Sequence, residues 1–389
     1  MPISLNFLSA SLRTISCSDK FKLMILQFWP LRQRATKFKI KSNVVFLEKT
    51  TLGANQNRHI MKSLIESFAD HLRDALEIGN KAKLKPCTDR LDNVLIAGMG
   101  GSGIGGSIIS EITDQSVNIP VFTNKSYKLP NWVGPHTLVI ISSYSGNTEE
   151  TVAVMKEAIK RNSEIAVVTS GGYIGDMAYE KGINHILIPG GNPPRSMLSY
   201  SLVQLFILFR HYKITDIDFE TEIRVGTGLI EREEANIRNE ARTIAKKLKG
   251  KIPIIYAVSG YGALAERFRQ QLNENSKMLC WHHVIPEMNH NELVGWAGAP
   301  DNISVVVFRS THDEKRNQQR IEINKEIFAK HTKSVLEIWT KGDFILERIL
   351  YLIHLTDWVS LFIAESKKID PVEVDVIDFL KGELSKTHF

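Results

Sequence analysis

The fold is decided by two stretches, Ala97-Gly-Met-Gly-Gly-Ser-Gly103 and Ser142-Ser-Tyr-Ser-Gly-Asn-Thr-Glu-Glu-Thr151. Each follows an apolar, β-branched run, Val94–Ile96 in the first case and Leu138–Ile141 in the second, and each precedes a helix-like segment. Two buried strands therefore end in small, donor-rich turns at helix starts. Backbone N–H groups and the positive end of the helix dipole favour an anion at such turns.

Beyond these turns, strand-like and helix-like segments alternate, which predicts βαβ units and parallel sheets. In the first half of the chain, strands are predicted at Asn93–Ala97, Pro120–Thr123, Thr137–Ser143, Glu164–Thr169 and His185–Pro189. In the second half, strands are predicted at Ile252–Ser259, Ile303–Phe308 and Ser334–Trp339, while Met278–Trp281 is only a short apolar run. The sequence therefore predicts an α/β protein with two doubly wound parallel sheets and flanking helices.

The 389 residues divide into three segments. Residues 61–220 are predicted to form a first domain whose N-terminal helix begins at Met61, and residues 221–389 a linker helix, a second domain and a C-terminal helix. Residues 1–60 differ, because they hold ten Lys or Arg against two Asp or Glu and lack a clean hydrophobic period. Three interpretations are open for them: a mis-called start upstream of Met61, an organelle presequence, or an additional structural element.

Composition argues against several classes of function. The formal charge of +6 arises in residues 1–60 and the remainder is close to neutral, so no nucleic-acid partner is expected. Cys17, Cys87 and Cys280 lie far apart, with neither metal-binding spacing nor a disulfide framework, which predicts a cytoplasmic protein. No apolar run is judged long enough to span a membrane, so no membrane is expected as a partner.

The first turn, Gly98-Met-Gly-Gly-Ser-Gly103, fits the pattern G-x-G-x-x-G, which alone is a weak signal. A dinucleotide site also requires an acidic residue at the end of the next strand, where it binds the ribose. That strand ends in Thr123-Asn124 and carries no acid, which disfavours a nicotinamide or flavin site. Two interpretations are left: a turn that binds a phosphate or phosphosugar, or a close-packed strand–helix turn without a ligand.

Three hydroxyls of the second turn, on Ser143, Ser145 and Thr148, are spaced so that they can surround one phosphate. The turn contains no lysine and is therefore not a nucleotide P-loop. Helix capping is the alternative, although three hydroxyls exceed what a cap requires. A cation stands in another turn, at Arg195, near the first turn of a helix and against the helix dipole. It is interpreted either as part of a surface ion pair or as a group that binds a substrate oxygen.

Titratable residues are concentrated between residues 271 and 296. Glu274 follows an apolar helical stripe, so it is either a general base in a dry pocket or an exposed helical carboxylate. His290 is either a hydrogen-bonded cap or core residue or a functional group. The spacing of the His and Glu residues matches neither H-E-x-x-H nor a cysteine–histidine site, which disfavours zinc.

The order of these motifs resembles that of the bifunctional phosphoglucose/phosphomannose isomerases, a family built from two sugar-isomerase (SIS) domains. The resemblance covers the chain from about Met61 to the C-terminus. It rests on Gly-Met-Gly-Gly-Ser-Gly, Ser-Tyr-Ser-Gly-Asn-Thr-Glu-Glu-Thr, Asn-Pro-Pro-Arg-Ser, Asn-Glu-Asn-Ser-Lys and Pro-Glu-Met-Asn-His-Asn-Glu. Each motif alone is a weak signal, whereas the ordered set is a strong one.

The resemblance implies an isomerase that interconverts glucose 6-phosphate and mannose 6-phosphate with fructose 6-phosphate through a cis-enediol, without a metal or other cofactor. By this resemblance, Glu274 is expected to move the proton between C1 and C2, and His290 and Lys381 are expected to take part in ring opening. His290 is expected to reach in from the neighbouring subunit of a homodimer. The residues expected to bind the substrate are Gly101, Ser102, Ser143, Ser145, Thr148 and Arg195.

Three other functions are weighed against this one. A non-catalytic phosphosugar-binding SIS module is the main alternative, although residues 1–60 show no helix-turn-helix pattern and Glu274 and His290 would then have no use. A glucosamine-phosphate synthase-like transferase would require an N-terminal glutaminase with a cysteine nucleophile, which the sequence does not show. A dehydrogenase is the most remote. The preference between glucose and mannose is left open.

Overall fold

The computed structural model describes residues 54–87 and 89–386. Residues 54–66 are helical and lead into helix α1 (Phe68–Lys81). The helix predicted to begin at Met61 therefore extends further upstream, and Met61 lies buried within it. Residues 1–53, which hold most of the basic segment, lie outside the described residues, so the three interpretations of that segment stay predictions.

The first sheet has five parallel strands in the order β2-β1-β3-β4-β5. Its strands are β1 (Asn93–Ala97), β2 (Val121–Asn124), β3 (Thr137–Ser143), β4 (Glu164–Thr169) and β5 (Asn184–Leu187). The accompanying helices are α2 (Gly100–Thr113), α3 (Glu149–Lys160), α4 (Gly172–Glu180) and α5 (Leu198–His211). Apolar residues dominate the three inner strands, β1, β3 and β4, because a parallel sheet covered by helices is buried on both faces.

The second sheet has four parallel strands in the order β7-β6-β8-β9. Its strands are β6 (Ile252–Val258), β7 (Trp281–Ile285), β8 (Ile303–Arg309) and β9 (Val335–Trp339). The helices are α6 (Phe219–Leu248), α7 (Gly262–Ser276), α8 (Glu292–Gly295), α9 (Lys315–Phe328), α10 (Ile345–Lys367) and α11 (Asp375–Leu384). The prediction of an α/β protein with two parallel sheets is confirmed. The predicted domain boundary after residue 220 falls at the start of α6 and stays a prediction.

Two elements differ from the sequence prediction. The apolar pattern of Ile104–Ile112 predicts a helix over those residues, whereas helix α2 begins earlier, at Gly100, although glycine is a poor helix former. Close packing explains its start, because a Cβ on Gly103 would lie 2.4 Å from the carbonyl oxygen of Gly98. The sequence predicts only a short apolar run, Met278–Trp281, where the structure has strand β7. The strand does not show a continuous apolar pattern because it is a partly exposed edge strand that contains two histidines.

Helix α10 corrects the expectation about membrane-length segments. It is the one helix of the described residues that is long and apolar enough to cross a membrane by length and composition. However, 83 % of its most apolar window is buried inside the protein. Such burial is that of a core helix, which reaches the same hydropathy as a membrane span because it is surrounded by other elements.

Helices α2 and α7 pack together in opposite directions, and this arrangement places the candidate site. Glu111, near the end of α2, accepts a hydrogen bond from the backbone N–H of Ala263 at the start of α7 (2.9 Å). Gly101, at the start of α2, packs against the backbone of Arg195, whose side chain bonds Glu274 near the end of α7. The start of α2 and the end of α7 therefore meet at the carboxyl edge of the first sheet.

Candidate active site

The strand order of the first sheet brings the two turns of the opening motifs together. From β1 the chain passes through α2 to β2 on one side, while β3 pairs with the other side of β1. Ala97 lies opposite Ile141, so the turns that follow β1 and β3 are neighbours. Ligands of doubly wound sheets bind at this kind of switch point, beyond the carboxyl ends of the strands.

Hydrogen bonds join these two turns to a third one. The backbone N–H of Tyr144 donates to Ser102 Oγ (2.9 Å), and Ser142 Oγ donates to the carbonyl oxygen of Ser102 (3.0 Å). The hydroxyl of Tyr144 accepts from the backbone N–H of Asn192, in the turn that leads to Arg195 (3.1 Å). Ser102 and Tyr144 therefore fix the three turns relative to one another. Tyr144 was not recognised as a site residue from the sequence.

The hydroxyl cradle, defined as Ser143, Ser145 and Thr148, lies at the start of α3. Ser143 Oγ donates to Thr148 Oγ1 (3.4 Å), and the Ser143 side chain is buried whereas Ser145 is exposed. Thr148 is the N-cap residue of α3, but its side chain makes no capping hydrogen bond. The capping alternative is therefore not realised at Thr148. Hydroxyls and a helix N-terminus at one place form an environment that can bind an anion.

Gly146 is required by the shape of the hydroxyl cradle. Its φ is +68°, and an added Cβ would lie 1.8 Å from the carbonyl oxygen of Gly171 in the turn after β4. We expect Gly146→Ala to lower the free energy of unfolding by about 1–3 kcal/mol from backbone strain alone, with further loss from the clash. Urea unfolding measures the change. Gly134→Ala is the control, because nothing lies within 4 Å of its Cβ, and equal midpoints for the two variants would contradict the expectation.

Arg195 lies buried between the turns of the first sheet and the end of α7, with 6 % of its surface exposed. Its Nη1 donates to Glu274 Oε2 (2.9 Å) and its Nε donates to Asn275 Oδ1 (2.6 Å). Its Nη2 donates to the carbonyl oxygens of Pro371 and Val372. Arg195 therefore forms an ion pair as one interpretation expected, but the pair is buried on the arginine side rather than at the surface.

Burial lowers the pKa of Arg195 from its ordinary value, and the neighbouring Glu274 carboxylate acts in the opposite direction. The Glu274 side chain keeps 28 % of its surface exposed, so it is open to a small molecule from the side away from Arg195. A carboxylate held by a buried guanidinium and open on one side can exchange a proton with a bound ligand.

Gly101 allows the start of α2 to approach Arg195. A Cβ on Gly101 would lie 3.1 Å from the backbone nitrogen of Arg195 and 3.2 Å from the carbonyl carbon of Pro194. Contacts as short as these are tighter than ordinary packing, so a side chain at Gly101 would push the two turns apart. In this structure Gly101 serves the site by its small size.

Two lysines bind the free carbonyl groups at the end of α7. Lys277 Nζ donates to the carbonyl oxygen of Glu274 (2.6 Å) and to that of Glu373 (2.5 Å), and Lys367 Nζ donates to that of Ser276 (2.7 Å). Cations stabilise a helix C-terminus because of its partial negative charge. Burial lowers the pKa of Lys277. Neither lysine was predicted as a site residue, although Lys277 belongs to the quoted motif Asn-Glu-Asn-Ser-Lys.

His290 and Lys381 make no direct bond with Glu274 within one chain. Both are exposed, and neither side chain makes a hydrogen bond or an ion pair with any other part of the chain that the structure describes. Lys381 lies on α11, which has no buried residue and exposes Phe379 to 67 %. Of the predicted site residues, the single chain therefore assembles the hydroxyl cradle, Gly101, Ser102, Arg195 and Glu274.

The topology explains why His290 is far from Glu274. Helix α7 runs back from the carboxyl edge of the second sheet, so Glu274 lies at the amino edge, where β7 begins. His290 follows the end of β7 and lies at the carboxyl edge. The five residues of β7 separate these two edges by about 17 Å, which exceeds the reach of the two side chains.

No group of three or more His, Cys, Asp or Glu side chains is placed to hold a metal ion in residues 54–87 and 89–386. His282 Nδ1 accepts a hydrogen bond from Arg269 Nε (3.1 Å) instead. Burial raises the pKa of the Cys280 thiol to about 11, and both Cys87 and Cys280 are free.

Comparisons with known proteins identify the family of this chain. Residues 237–384 match the family of the bacterial phospho-glucose isomerase C-terminal SIS domain. The bifunctional phosphoglucose/phosphomannose isomerase of Caldicellulosiruptor bescii is 36 % identical over 333 residues, which cover 83 % of this chain and 98 % of the relative. The protein of the same name from Aquifex aeolicus is 36 % identical over 297 residues, which cover 75 % of this chain and 90 % of the relative.

One solved structure shows the same fold at low identity. The C-terminal domain of glucosamine-fructose-6-phosphate aminotransferase from Francisella tularensis superposes with a TM-score of 0.63 and 13 % identity. The match covers 79 % of this chain and 96 % of that one. At this identity the likeness concerns the fold alone.

Proposed function

The chain belongs to the bifunctional phosphoglucose/phosphomannose isomerase family, and we propose that it interconverts glucose 6-phosphate and mannose 6-phosphate with fructose 6-phosphate. The observation that carries the proposal is the 2.9 Å contact between Arg195 Nη1 and Glu274 Oε2. This contact joins a partly open carboxylate of the second domain to a buried cation of the first. It lies beside the turns at which a doubly wound sheet binds its ligand.

The phosphate of the sugar is assigned to the hydroxyl cradle. Three hydroxyls and the N-terminus of α3 supply hydrogen-bond donors and a favourable field. Glu149 and Glu150 in the first turn of α3 reduce that field, so the hydroxyl and backbone donors carry most of the binding. Holding the phosphate orients C1 and C2 toward Glu274, which makes the proton transfers effectively intramolecular.

Glu274 is assigned as the base that acts twice. In the open-chain aldose, its carboxylate takes the proton from C2, the C–H electron pair forms the C1–C2 double bond, and the carbonyl oxygen on C1 becomes the enediolate oxygen. A proton then passes from the C2 hydroxyl to the C1 oxygen, and Glu274 returns its proton to C1 while the C2 oxygen becomes the carbonyl of the ketose. The positive charge of Arg195 stabilises the enediolate. In the reverse direction, Glu274 returns the proton to C2. Since C2 of the enediol is planar, protonation of C2 on one face gives glucose 6-phosphate and on the other face mannose 6-phosphate.

Ring opening is assigned to His290 and Lys381, as proton donors and acceptors for the ring oxygen and the C1 hydroxyl. The separation of Glu274 and His290 across the second sheet supports a homodimer in which His290 of one subunit completes the site of the other. Free Cys87 and Cys280 support a cytoplasmic location.

Mixing two inactive variants tests the shared site. We expect Glu274→Gln and His290→Ala subunits, mixed at equal concentration and allowed to exchange, to recover about a quarter of wild-type activity, because half of the dimers are mixed and each has one intact site. The aldose–ketose assay of the mixture measures it. Mixing each variant with itself is the control. Absence of recovery, with mixed dimers demonstrated by mass spectrometry, would place His290 and Glu274 in the same subunit's site.

The function itself is tested with the purified full chain. Glucose 6-phosphate formed from fructose 6-phosphate is followed with glucose-6-phosphate dehydrogenase, and fructose 6-phosphate formed from mannose 6-phosphate with an auxiliary isomerase added in excess. We expect turnover of both aldose phosphates, unchanged by EDTA. Binding of fructose 6-phosphate without turnover of either aldose would instead identify the non-catalytic phosphosugar-binding module.

A further inference from the structure

Helix α7 carries a buried polar stripe, defined as Arg267, Gln271 and Asn275. The three residues are spaced by four positions and therefore lie on one face of the helix. They keep 4 %, 2 % and 0 % of their surfaces exposed. Polar groups in the interior lower stability unless they are hydrogen-bonded, so a polar stripe at this place requires partners.

Helix α10 supplies those partners. Asp357 accepts from both terminal nitrogens of Arg267 (2.5 and 2.9 Å) and from Nε2 of Gln271 (2.6 Å). Asn275 Nδ2 donates to Ser360 Oγ (3.0 Å), and Ser360 Oγ donates to the carbonyl oxygen of Asp357 (2.7 Å). Asp357 is thus the acceptor at which the stripe converges, and it is itself 5 % exposed.

The buried polar stripe extends to Arg195 in the other domain. Arg267 Nη2 donates to the carbonyl oxygen of Arg195 (3.2 Å), and Asn275 Oδ1 accepts from Arg195 Nε (2.6 Å). Both the main chain and the guanidinium of Arg195 are therefore held by residues that Asp357 and its neighbour Ser360 hold in turn. The next residue along α7 from Asn275 toward the N-terminus is Glu274, the assigned base.

We propose that Asp357 is a positioning residue for the isomerase: through Arg267, it fixes Arg195 and the end of α7 so that Arg195 meets Glu274. The proposal rests on the proposed function. Replacement of a buried ion pair by apolar residues is often neutral or stabilising, so stability alone does not account for this network. Fixing a reactive geometry does, because a displacement of about 1 Å in an active site lowers the rate by about 10²-fold.

Asp357→Asn tests the proposal. The amide keeps the shape of the side chain, but its NH₂ group faces a donor of Arg267 or Gln271, which moves the stripe. We expect kcat to fall by about 10- to 100-fold while KM for fructose 6-phosphate changes by less than about threefold, because the hydroxyl cradle is untouched. The rates are expressed per folded molecule, from a thermal melt of the same sample.

Glu234→Gln is the matched control. Glu234 Oε2 lies 2.6 Å from Nε2 of His354. His354 is on α10 one turn before Asp357, but it faces α6 rather than α7. We expect this variant to lose thermal stability and to keep wild-type kcat. If Asp357→Asn behaves in the same way, losing stability and keeping kcat, Asp357 is a structural residue and the proposal is overturned.

Arg267→Lys keeps the proposal testable if Asp357→Asn does not fold. Lysine keeps the positive charge opposite Asp357. Its single ammonium nitrogen cannot take the place of the two guanidinium nitrogens that bond both carboxylate oxygens of Asp357 and the carbonyl oxygen of Arg195. We expect the same kcat loss at unchanged KM; wild-type kcat overturns the proposal. A wild-type chain without isomerase activity would refute the proposed function separately. The crystal structure of Arg267→Lys then decides: a displaced Arg195 supports positioning, and an Arg195–Glu274 contact kept at 2.9 Å refutes it.

Discussion

Replacing Glu274 by Gln is expected to lower kcat for every aldose–ketose pair by about 10³-fold, because one carboxylate carries out both proton transfers. The amide oxygen can still accept from Arg195 Nη1, so the contact that holds Arg195 is retained. Binding of fructose 6-phosphate is therefore expected to stay within about threefold of the wild type. Steady-state rates and titration calorimetry measure the two quantities.

Glu266→Gln is the matched control for this prediction. Glu266 lies on the same helix, and its carboxylate pairs with Lys125 Nζ (2.7 Å) away from Arg195. We expect wild-type kcat for this variant. If Glu274→Gln turned over at a rate close to that of Glu266→Gln, Glu274 would not be the base, and the proposed mechanism would have to be abandoned.

Replacing Arg195 by Lys is expected to lower kcat by about 10²- to 10³-fold. A lysine keeps one positive charge but cannot bond Glu274, Asn275 and the Pro371 carbonyl together, because these bonds use three different guanidinium nitrogens. The partners left without a donor are buried, as Asn275 is, or half-buried, as Glu274 is, so the thermal midpoint is also expected to fall. Kinetics and a thermal melt on the same preparation measure both effects.

Arg161→Lys separates loss of catalysis from loss of a generic arginine network. Arg161 also bonds one carboxylate and two carbonyl groups, on Glu157, Pro130 and Val133, but it lies at the far end of α3 from the hydroxyl cradle. We expect it to lower the thermal midpoint without changing kcat. Equal kcat losses in the two variants would show that the effect of Arg195→Lys is not specific to the site.

The turns of the candidate site could be predicted from sequence because their signals are local. A buried strand, a glycine-rich turn and a helix start follow one another within about ten residues, as they do around Gly98 and again around Ser143. The parallel pairing of β1 with β3 then places both turns at the same edge. Local pattern and topology together were enough to predict where these turns lie, whereas substrate binding by the hydroxyl cradle and by Arg195 stays a prediction.

The rest of the site depends on contacts between residues far apart in the chain. Asp357 and Arg267 are separated by 90 positions, and no periodicity in either helix shows that they face each other. The partial exposure of the edge strand β7 blurred its apolar pattern. His290 and Lys381 were predicted from the family resemblance, and neither is joined to Glu274 within the described part of one chain, so their roles stay predictions.

The placement of Glu274 and His290 at opposite edges of one sheet makes activity depend on dimer assembly under the proposed arrangement. A newly synthesised monomer would then be inactive until it associates with a second chain. Specific activity should then fall on dilution below the dissociation constant of the pair, and assembly would control output without any added effector.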